Sequence, residues 1–302
     1  MLNHLSIGSL KVKWPIIQGG MGIGISKAGL ASAVANQGGV GVLSAAGLGM
    51  FQKTEDRGAS MMTALKAEIR KARSMTRGIL GVNIMVAMTN FTDLVKTAIS
   101  EKIDIIFAGA GLPLDLPRYR DETSKTKLVP IVSSARAAKI IVKKWWDRFK
   151  TVPDAFVLEG PKAGGHIGFK IKQIEDPAYQ LETLLPEVLK AVKPFESLTG
   201  TSIPIIAAGG IYTGEDIAKA FELGASGVQM GTRFVTTHEC DADPVFKESY
   251  INSEKSDMHI ITSPVGLPGR AIRNTFLQSV ENGEKHPVSC PFDCIKPCGK
   301  TD

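Results

Sequence analysis

No stretch of this 302-residue chain approaches the roughly 18 consecutive apolar residues that a membrane-spanning helix needs, so no membrane segment is expected. The N-terminus, MLNHLSIGSLKVKWP, lacks a basic segment followed by an apolar core, so it does not read as a secretory signal and the expected compartment is cytoplasmic. Charge of one sign is not concentrated anywhere. The net charge is +6, but lysines and arginines are scattered rather than gathered in a stripe, which argues against a nucleic-acid partner. Their densest cluster, Lys143-Lys144-Trp145-Trp146-Asp147-Arg148, reads as a helix face with both tryptophans buried. A mild positive excess equally suits a phosphorylated cofactor.

Cysteine is scarce: Cys240 stands alone, and Cys290, Cys294 and Cys298 share the tail SCPFDCIKPCGK. Spacing four apart is not that of a zinc ribbon and no fourth ligand lies nearby. Reduced, inert thiols are therefore expected ahead of a metal or iron–sulfur site, and no metal ligands are proposed. The tail stops without a closing element, which reads as a short or truncated extension. Also missing are a G-x-S-x-G elbow, an H-E-x-x-H pair, a P-loop and a paired-carboxylate arrangement, so neither a built-in nucleophile nor a metal is expected to carry the chemistry.

What the chain does have is alternation. Aromatics make up only 6% while glycines number 31, a balance that favours many tight strand–loop–helix junctions over a helical bundle. Eight short β-rich runs are read at 15–18, 40–44, 78–83, 103–108, 128–132, 154–158, 203–208 and 227–230. Helix-like segments at 27–36, 61–74, 91–100, 135–149, 181–192, 214–223 and 244–252 lie between and after them. The strand runs are continuously apolar, as strands buried on both faces are, so the sheet should be parallel. Eight such units predict an α/β fold of the (β/α)8 TIM-barrel kind over residues 1–276, with a short cysteine-containing extension at 277–302. An open doubly wound sheet is the alternative, but Gly20-Met-Gly22-Ile-Gly24 has the wrong spacing for its fingerprint.

A barrel would gather the strand ends onto one face, the face where barrels place their chemistry. Ala207-Ala-Gly-Gly210 and Gly231-Thr232 each end a strand just before a helix, the setting in which backbone N–H groups and a helix N-terminus bind phosphate; tight turns are the plainer reading. The amides of Gln18 and Asn83 could match the heteroatoms of a flat ring, with Met21 as a soft surface, or simply satisfy loop backbone. His166, in Ala163-Gly-Gly-His-Ile-Gly168, leaves a strand end in a loop almost without side chains. It could act as a general base, an acid or a neutral donor, or be a structural hydrogen-bonder. His4, His238, His259 and His286 are read as surface residues. A phosphate site beside a flat-ring site points to a cofactor that carries the chemistry itself, and FMN fits best.

Pro15-Ile-Ile-Gln-Gly-Gly-Met21, Gly81-Val-Asn-Ile-Met85, Glu159-Gly-x-x-Ala-Gly-Gly-His-Ile-Gly168, Ala207-Ala-Gly-Gly-Ile211 and Gly231-Thr-Arg-Phe234 together resemble the nitronate monooxygenase (2-nitropropane dioxygenase) family. The resemblance implies an FMN-dependent barrel that oxidises alkyl nitronates with O2 to a carbonyl compound and nitrite. It implies that Gln18, Gly20, Met21 and Asn83 line the flavin, with Gly19, Ala163, Gly164 and Gly165 beside it. It further implies that Gly209, Gly210, Gly231 and Thr232 hold the phosphate, flanked by Ala208, Gln229 and Met230, and that His166 is the active-site histidine. The same motifs, with Gly109-Ala-Gly111 and Arg270-Ala-Ile-Arg-Asn274, are similar to the FMN-dependent enoyl-[acyl-carrier-protein] reductases. Pro161-Lys162, the insertion at 117–127 and the cysteine tail depart from that branch. NAD(P)H as reductant, NAD(P)H:quinone reduction and a homodimer are further expectations. A non-catalytic barrel for a phosphorylated ligand, and a flavoprotein passing electrons through a tail cluster, are the readings from other classes.

Overall fold

The computed structural model describes residues 4–50, 57–263, 266–285 and 295. It begins with a hairpin, β1 (Leu5–Ile7) and β2 (Leu10–Val12), and then alternates strand and helix: β3 (Ile16–Gln18), α1 (Ala28–Asn36), β4 (Val40–Ser44), α2 (Arg57–Met75), β5 (Ile79–Met85), α3 (Phe91–Ser100) and β6 (Ile105–Gly109). A short 3-10 turn stands in for a helix before β7 (Lys127–Val132), followed by α4 (Ala135–Phe149), β8 (Phe156–Glu159) and a two-residue strand, β9 (Gly165–His166). Then come α5 (Leu181–Thr199), β10 (Ile205–Ala208), α6 (Gly214–Glu222), β11 (Gly227–Met230), α7 (Thr232–Val235), α8 (Pro244–Ile251), β12 (Met258–Thr262), β13 (Pro268–Ile272) and α9 (Thr275–Glu281). The expected boundary between barrel and extension, at 276, falls inside α9.

Strands β3 to β8, β10 and β11 close into a parallel barrel, and each coincides with one of the eight runs read from the sequence. This is the (β/α)8 TIM barrel, and closure rules out the open sheet. Side chains alternate along each strand, so the wall separates two cores. Ile17, Val40, Val42, Ile105, Phe107, Val129, Val157, Ile206 and Ala208 point into the lumen. Leu43, Leu80, Val82, Ile106, Leu158, Ile205, Val228 and Met230 point outward against the helices. The helices press close: a Cβ on Gly41 would lie 1.8 Å from the Ala31 carbonyl oxygen, so only glycine lets α1 sit on β4.

The N-terminal end of the lumen is shut. Leu5, Ile7 and Val12 of the hairpin are fully buried in the lumen core. At the hairpin turn, a Cβ on Gly8 would sit 2.5 Å from Asp154 Oδ1. Asp154 in turn accepts from the Leu128 N–H (2.9 Å) and from Arg120 (3.2 Å), with Lys127 at 3.8 Å. Asp154, Arg120 and Lys127 thus neutralise one another at this end.

Two features depart from the sequence reading. Of the two tryptophans expected to be buried, only Trp145 is; it donates to the Pro113 carbonyl at 3.0 Å, whereas Trp146, one position round the helix, is half-buried with Lys150 over its ring. The second is a small antiparallel sheet, β12-β13-β9, that no periodicity announced. Among the described residues no helix is long and apolar enough to cross a membrane, and no cluster of His, Cys, Asp or Glu has metal-binding geometry. Cys240 is buried, its thiol facing the Ile25 carbonyl at 3.5 Å; Cys290, Cys294, Cys298 and His286 lie outside the described residues.

Candidate active site

At the C-terminal end the lumen opens, and its lining changes character. Beyond the inward-facing Val157 and Ile206, the next inward positions are Glu159 on β8 and, in register with it through Ala208, Gln229 on β11; Asn83 on β5 faces the same lumen. Asn83 Nδ2 donates to the Gly20 carbonyl at 3.2 Å, while its Oδ1 has no partner among the described residues. The Gln229 side chain covers Gly19, where a Cβ would lie 3.3 Å from Gln229 Cγ, and its amide is likewise without a partner among the described residues. Glu159 has neither a cation nor a donor beside it, and burial alone pushes its carboxyl up to about 7. The sequence reading quoted Glu159 within a motif but named no role for it.

Gln18 does not present its amide to this mouth. With Ile17 pointing inward, Gln18 must point outward, and it is completely buried there. Its Oε1 accepts from the Val42 N–H at 3.0 Å; its Nε2 donates to Ser26 Oγ at 2.9 Å and to the Gly19 carbonyl at 2.5 Å. Ser26 Oγ also accepts from the Met21 N–H at 3.0 Å, so Gln18 shapes the loop bearing Gly20 and Met21 from behind. The Met230 side chain is displaced by the same alternation into the outer core, and only its carbonyl reaches the mouth, accepting from Gly19 N–H at 2.9 Å. Met21 is half-buried, with its sulfur 3.4 Å from where a Gly231 Cβ would stand, so it ties the β3 loop to the β11 loop.

The glycines after β10 are packed against the loop after β8. Gly209 has φ +91°, and a Cβ there would lie 2.8 Å from the Gly160 carbonyl oxygen and 3.2 Å from Ala163 N, so a side chain is barred twice over. A Cβ on Gly210 would meet Lys162 at 2.9 Å. Contrary to the sequence reading, the α6 N-terminus does not stand ready for a phosphate. Thr213 and Asp216 cap each other there, and the first turn carries Glu215 as well. An anion at this edge would have to be met by the loop backbone at Gly209–Gly210 and Gly231–Thr232, with Lys162 and Arg233 as exposed cations; Arg233 stacks on Tyr212 at 4.9 Å.

The bare histidine loop is held rather than loose. Gly165 and His166 form β9, paired with β13 so that His166 faces Gly269 and Gly165 faces Arg270. Ile167 N–H donates to the Pro268 carbonyl at 2.9 Å. Arg270 clamps the near side, its Nη2 donating to the Pro161 carbonyl at 3.1 Å and its Nε to the Ala163 carbonyl at 3.3 Å. Ala163, Ile167 and Phe169 are buried anchors, while Gly164, Gly165 and His166 are exposed. A Cβ on Gly164 or Gly165 would meet nothing within 4 Å. The loop thus offers open backbone and one imidazole on a two-sided staple. The sequence quoted Arg270-Ala-Ile-Arg-Asn274 but carried no local sign of this pairing, whose partners lie about a hundred positions apart.

Comparison with known proteins adds a lineage to this geometry. The nitronate monooxygenase family model matches residues 3–101 and 87–294. A Mycobacterium tuberculosis (strain ATCC 25618 / H37Rv) protein named (3aS,4S,5R,7aS)-5-hydroxy-7a-methyl-1-oxo-octahydro-1H-indene-4-carboxyl-CoA dehydrogenase is 30% identical, over 91% of this chain and 67% of its own length. A Staphylococcus aureus (strain Newman) protein named "Probable nitronate monooxygenase" is 27% identical, over 91% of this chain and 79% of its own. Among solved structures, FabK from Thermotoga maritima superposes with a TM-score of 0.70 at 32% identity, covering 90% of this chain and 75% of that one.

Proposed function

The chain belongs to the nitronate monooxygenase family, and from that premise we propose that it is an FMN-dependent oxidoreductase that oxidises alkyl nitronates with O2 to a carbonyl compound and nitrite. The observation that carries the reading is the mouth itself. Polar groups without protein partners (Asn83 Oδ1 and the Gln229 amide) line one side, and open glycine backbone at Gly164–Gly165 lines the other. That combination fits a flat, heteroatom-edged ring better than it fits an empty scaffold. When bound, FMN supplies the electron-accepting ring. In this reading Gly209, Gly210, Gly231 and Thr232 hold the phosphate through backbone groups, aided by Lys162 and Arg233. Asn83 and Gln229 hydrogen-bond the ring, and Met21 packs beside it. His166, fixed by β13 at the rim, takes the proton of a nitroalkane or hydrogen-bonds the bound nitronate. Gln18 and Arg270 position the loops without touching either.

A second reading, NAD(P)H-dependent reduction of a thioester-linked enoyl group, is favoured by the identity of 32% to FabK and 30% to a protein named as a CoA-thioester dehydrogenase. The purified protein separates the two. The first reading expects a yellow protein whose O2 consumption rises with propyl nitronate. If nitronate leaves O2 consumption unchanged while NAD(P)H is oxidised with a 2-enoyl thioester, the second reading replaces it. A colourless protein that takes up no FMN removes both.

A further inference from the structure

The small sheet β12-β13-β9 has two faces, and its register sorts the residues between them. Gly165, Arg270 and Ile260 stand in one row across the three strands, and His166, Gly269 and Ile261 stand in the next. Residues paired directly across strands share a face, and neighbouring rows point to opposite faces. The first row looks toward the barrel: Arg270 reaches the Pro161 and Ala163 carbonyls, and Ile260 packs against the outer core. His166, Gly269 and Ile261 therefore share the opposite face, which Ala271 and His259 continue along the strands. Ile261 packs in neither core, yet it is half-buried, and its side chain leans over Gly269.

Gly269 differs from the glycines that the fold requires. At Gly41 or Gly209 a side chain is sterically barred, but a Cβ on Gly269 would lie 3.5 Å from Ile261 Cγ1 and 3.5 Å from the Gly165 carbonyl oxygen, which are ordinary contacts. Its φ is not in the left-handed region either. Neither packing nor backbone conformation demands glycine here. What its bareness creates is a notch between the imidazole and Ile261, whose strands lie about 10 Å apart, two interstrand spacings.

We propose that Gly269 and Ile261 are specificity-determining residues: the alkyl group of the nitronate lies in the notch over Gly269, with Ile261 as its apolar wall, while the nitro end meets His166. The proposal deepens the nitronate reading above, on which it rests, by naming the residues that select among alkyl nitronates. Each methylene that leaves water for this wall favours the bound state, so kcat/KM should rise by about threefold per added carbon.

The test measures O2 consumption of the FMN-loaded enzyme with methyl, ethyl, propyl and butyl nitronates. In wild type the kcat/KM ratio of butyl to methyl nitronate is expected to be about thirtyfold, the threefold step taken three times. Gly269→Val fills the notch and is expected to cut that ratio about tenfold, through KM; Gly269→Ala, which the packing admits, should cut it about threefold. Ile261→Ala removes the wall and is expected to cut it about fivefold. Met258→Ala, exposed on the same strand but on the face of Ile260, is expected to keep the wild-type ratio. A wild-type kcat/KM that is equal across the series overturns the proposal whether or not any variant folds. So does a wild-type ratio in both Gly269→Ala and Ile261→Ala, or a loss of the same size with all four nitronates, which would make the two residues structural. An FMN-loaded protein whose O2 consumption rises with none of the nitronates overturns the nitronate reading and this proposal with it, whereas turnover blind to chain length overturns this proposal alone.

Discussion

The two ends of the barrel lumen are built from the same strands and solve opposite problems. At the closed end the buried-edge acid is matched: Asp154 takes the Leu128 N–H, Arg120 and Lys127, and Leu5, Ile7 and Val12 fill the space beneath. At the open end, Asn83, Glu159 and Gln229 leave polar groups unmatched and the loops run through Gly164, Gly165, Gly209 and Gly210. One end spends its side chains on stability and the other holds them available for a ligand. Substitutions at the two ends should therefore separate stability from binding.

The largest stability effect is expected at the closed end. Ile7→Ala removes a fully buried side chain from the lumen plug and should cost about 3 kcal/mol in urea unfolding. The folded fraction should still bind FMN within about twofold of wild type, because nothing at the mouth touches the hairpin. A loss of FMN affinity equal to the loss of stability would show that the two ends are coupled after all.

Glu159→Gln should act in the opposite direction, and only at higher pH. The unfolded carboxyl titrates near its ordinary 4.5, whereas the folded one is pushed up to about 7. Between those values the folded state holds a proton that the unfolded state has released, so wild-type stability falls as pH rises through that window and stays low above it. Allowing for water at the mouth, the full penalty is about 2 kcal/mol. Glu159→Gln has no such titration. Its stability should match wild type below about pH 4.5 and exceed it by about 2 kcal/mol at pH 8 in thermal or urea unfolding of the flavin-free protein. Equal stability of the two proteins at pH 8 would mean that Glu159 ionises freely in the folded chain.

Arg270→Lys tests the staple. Lysine keeps the charge but cannot span the Pro161 and Ala163 carbonyls with a planar fork, so about 1 kcal/mol should be lost. The loss should be local, seen as faster hydrogen exchange at the Ile167 amide with little change in the barrel strands. Uniformly faster exchange would instead make Arg270 part of the global core.

How far the sequence revealed this arrangement depends on distance along the chain. Runs such as Ile-Pro-Ile-Ile-Ala-Ala carry their own strand signal and their own parallel-sheet signal, so all eight barrel strands were legible. The side-chain directions follow from the same runs. Counting by twos from Ile17 sends Gln18 outward, and from Val228 it sends Met230 outward and Gln229 inward. A lone acid ending the apolar run Phe156–Glu159 was the visible mark of the floor carboxyl. The β9–β13 pairing was not legible, because a two-residue strand has no periodicity and its partner lies far along the chain. The N-terminus of α6 misled for a different reason: the capping residues Thr213 and Asp216 that make the helix are the same ones that occupy its anion site.

The smallest stability effect should accompany the largest functional one. His166 is exposed, sits on open backbone and makes no side-chain hydrogen bond among the described residues, so His166→Ala should change unfolding free energy by no more than about 0.5 kcal/mol. Because β9 is held through main-chain bonds to β13 and through Arg270 to carbonyls, the loop keeps its path without the imidazole. FMN affinity should therefore be retained. Turnover with a neutral nitroalkane, which needs a proton removed, should fall by about a hundredfold or more, while turnover with the preformed nitronate falls less. That split between two substrates distinguishes a proton-transfer role from simple binding, since a residue that only grips the nitro group would lower both rates alike. A His166→Ala protein with normal FMN content and wild-type turnover on both substrates would leave the histidine loop with a purely structural part, and the catalytic base would have to be sought at another point on the mouth.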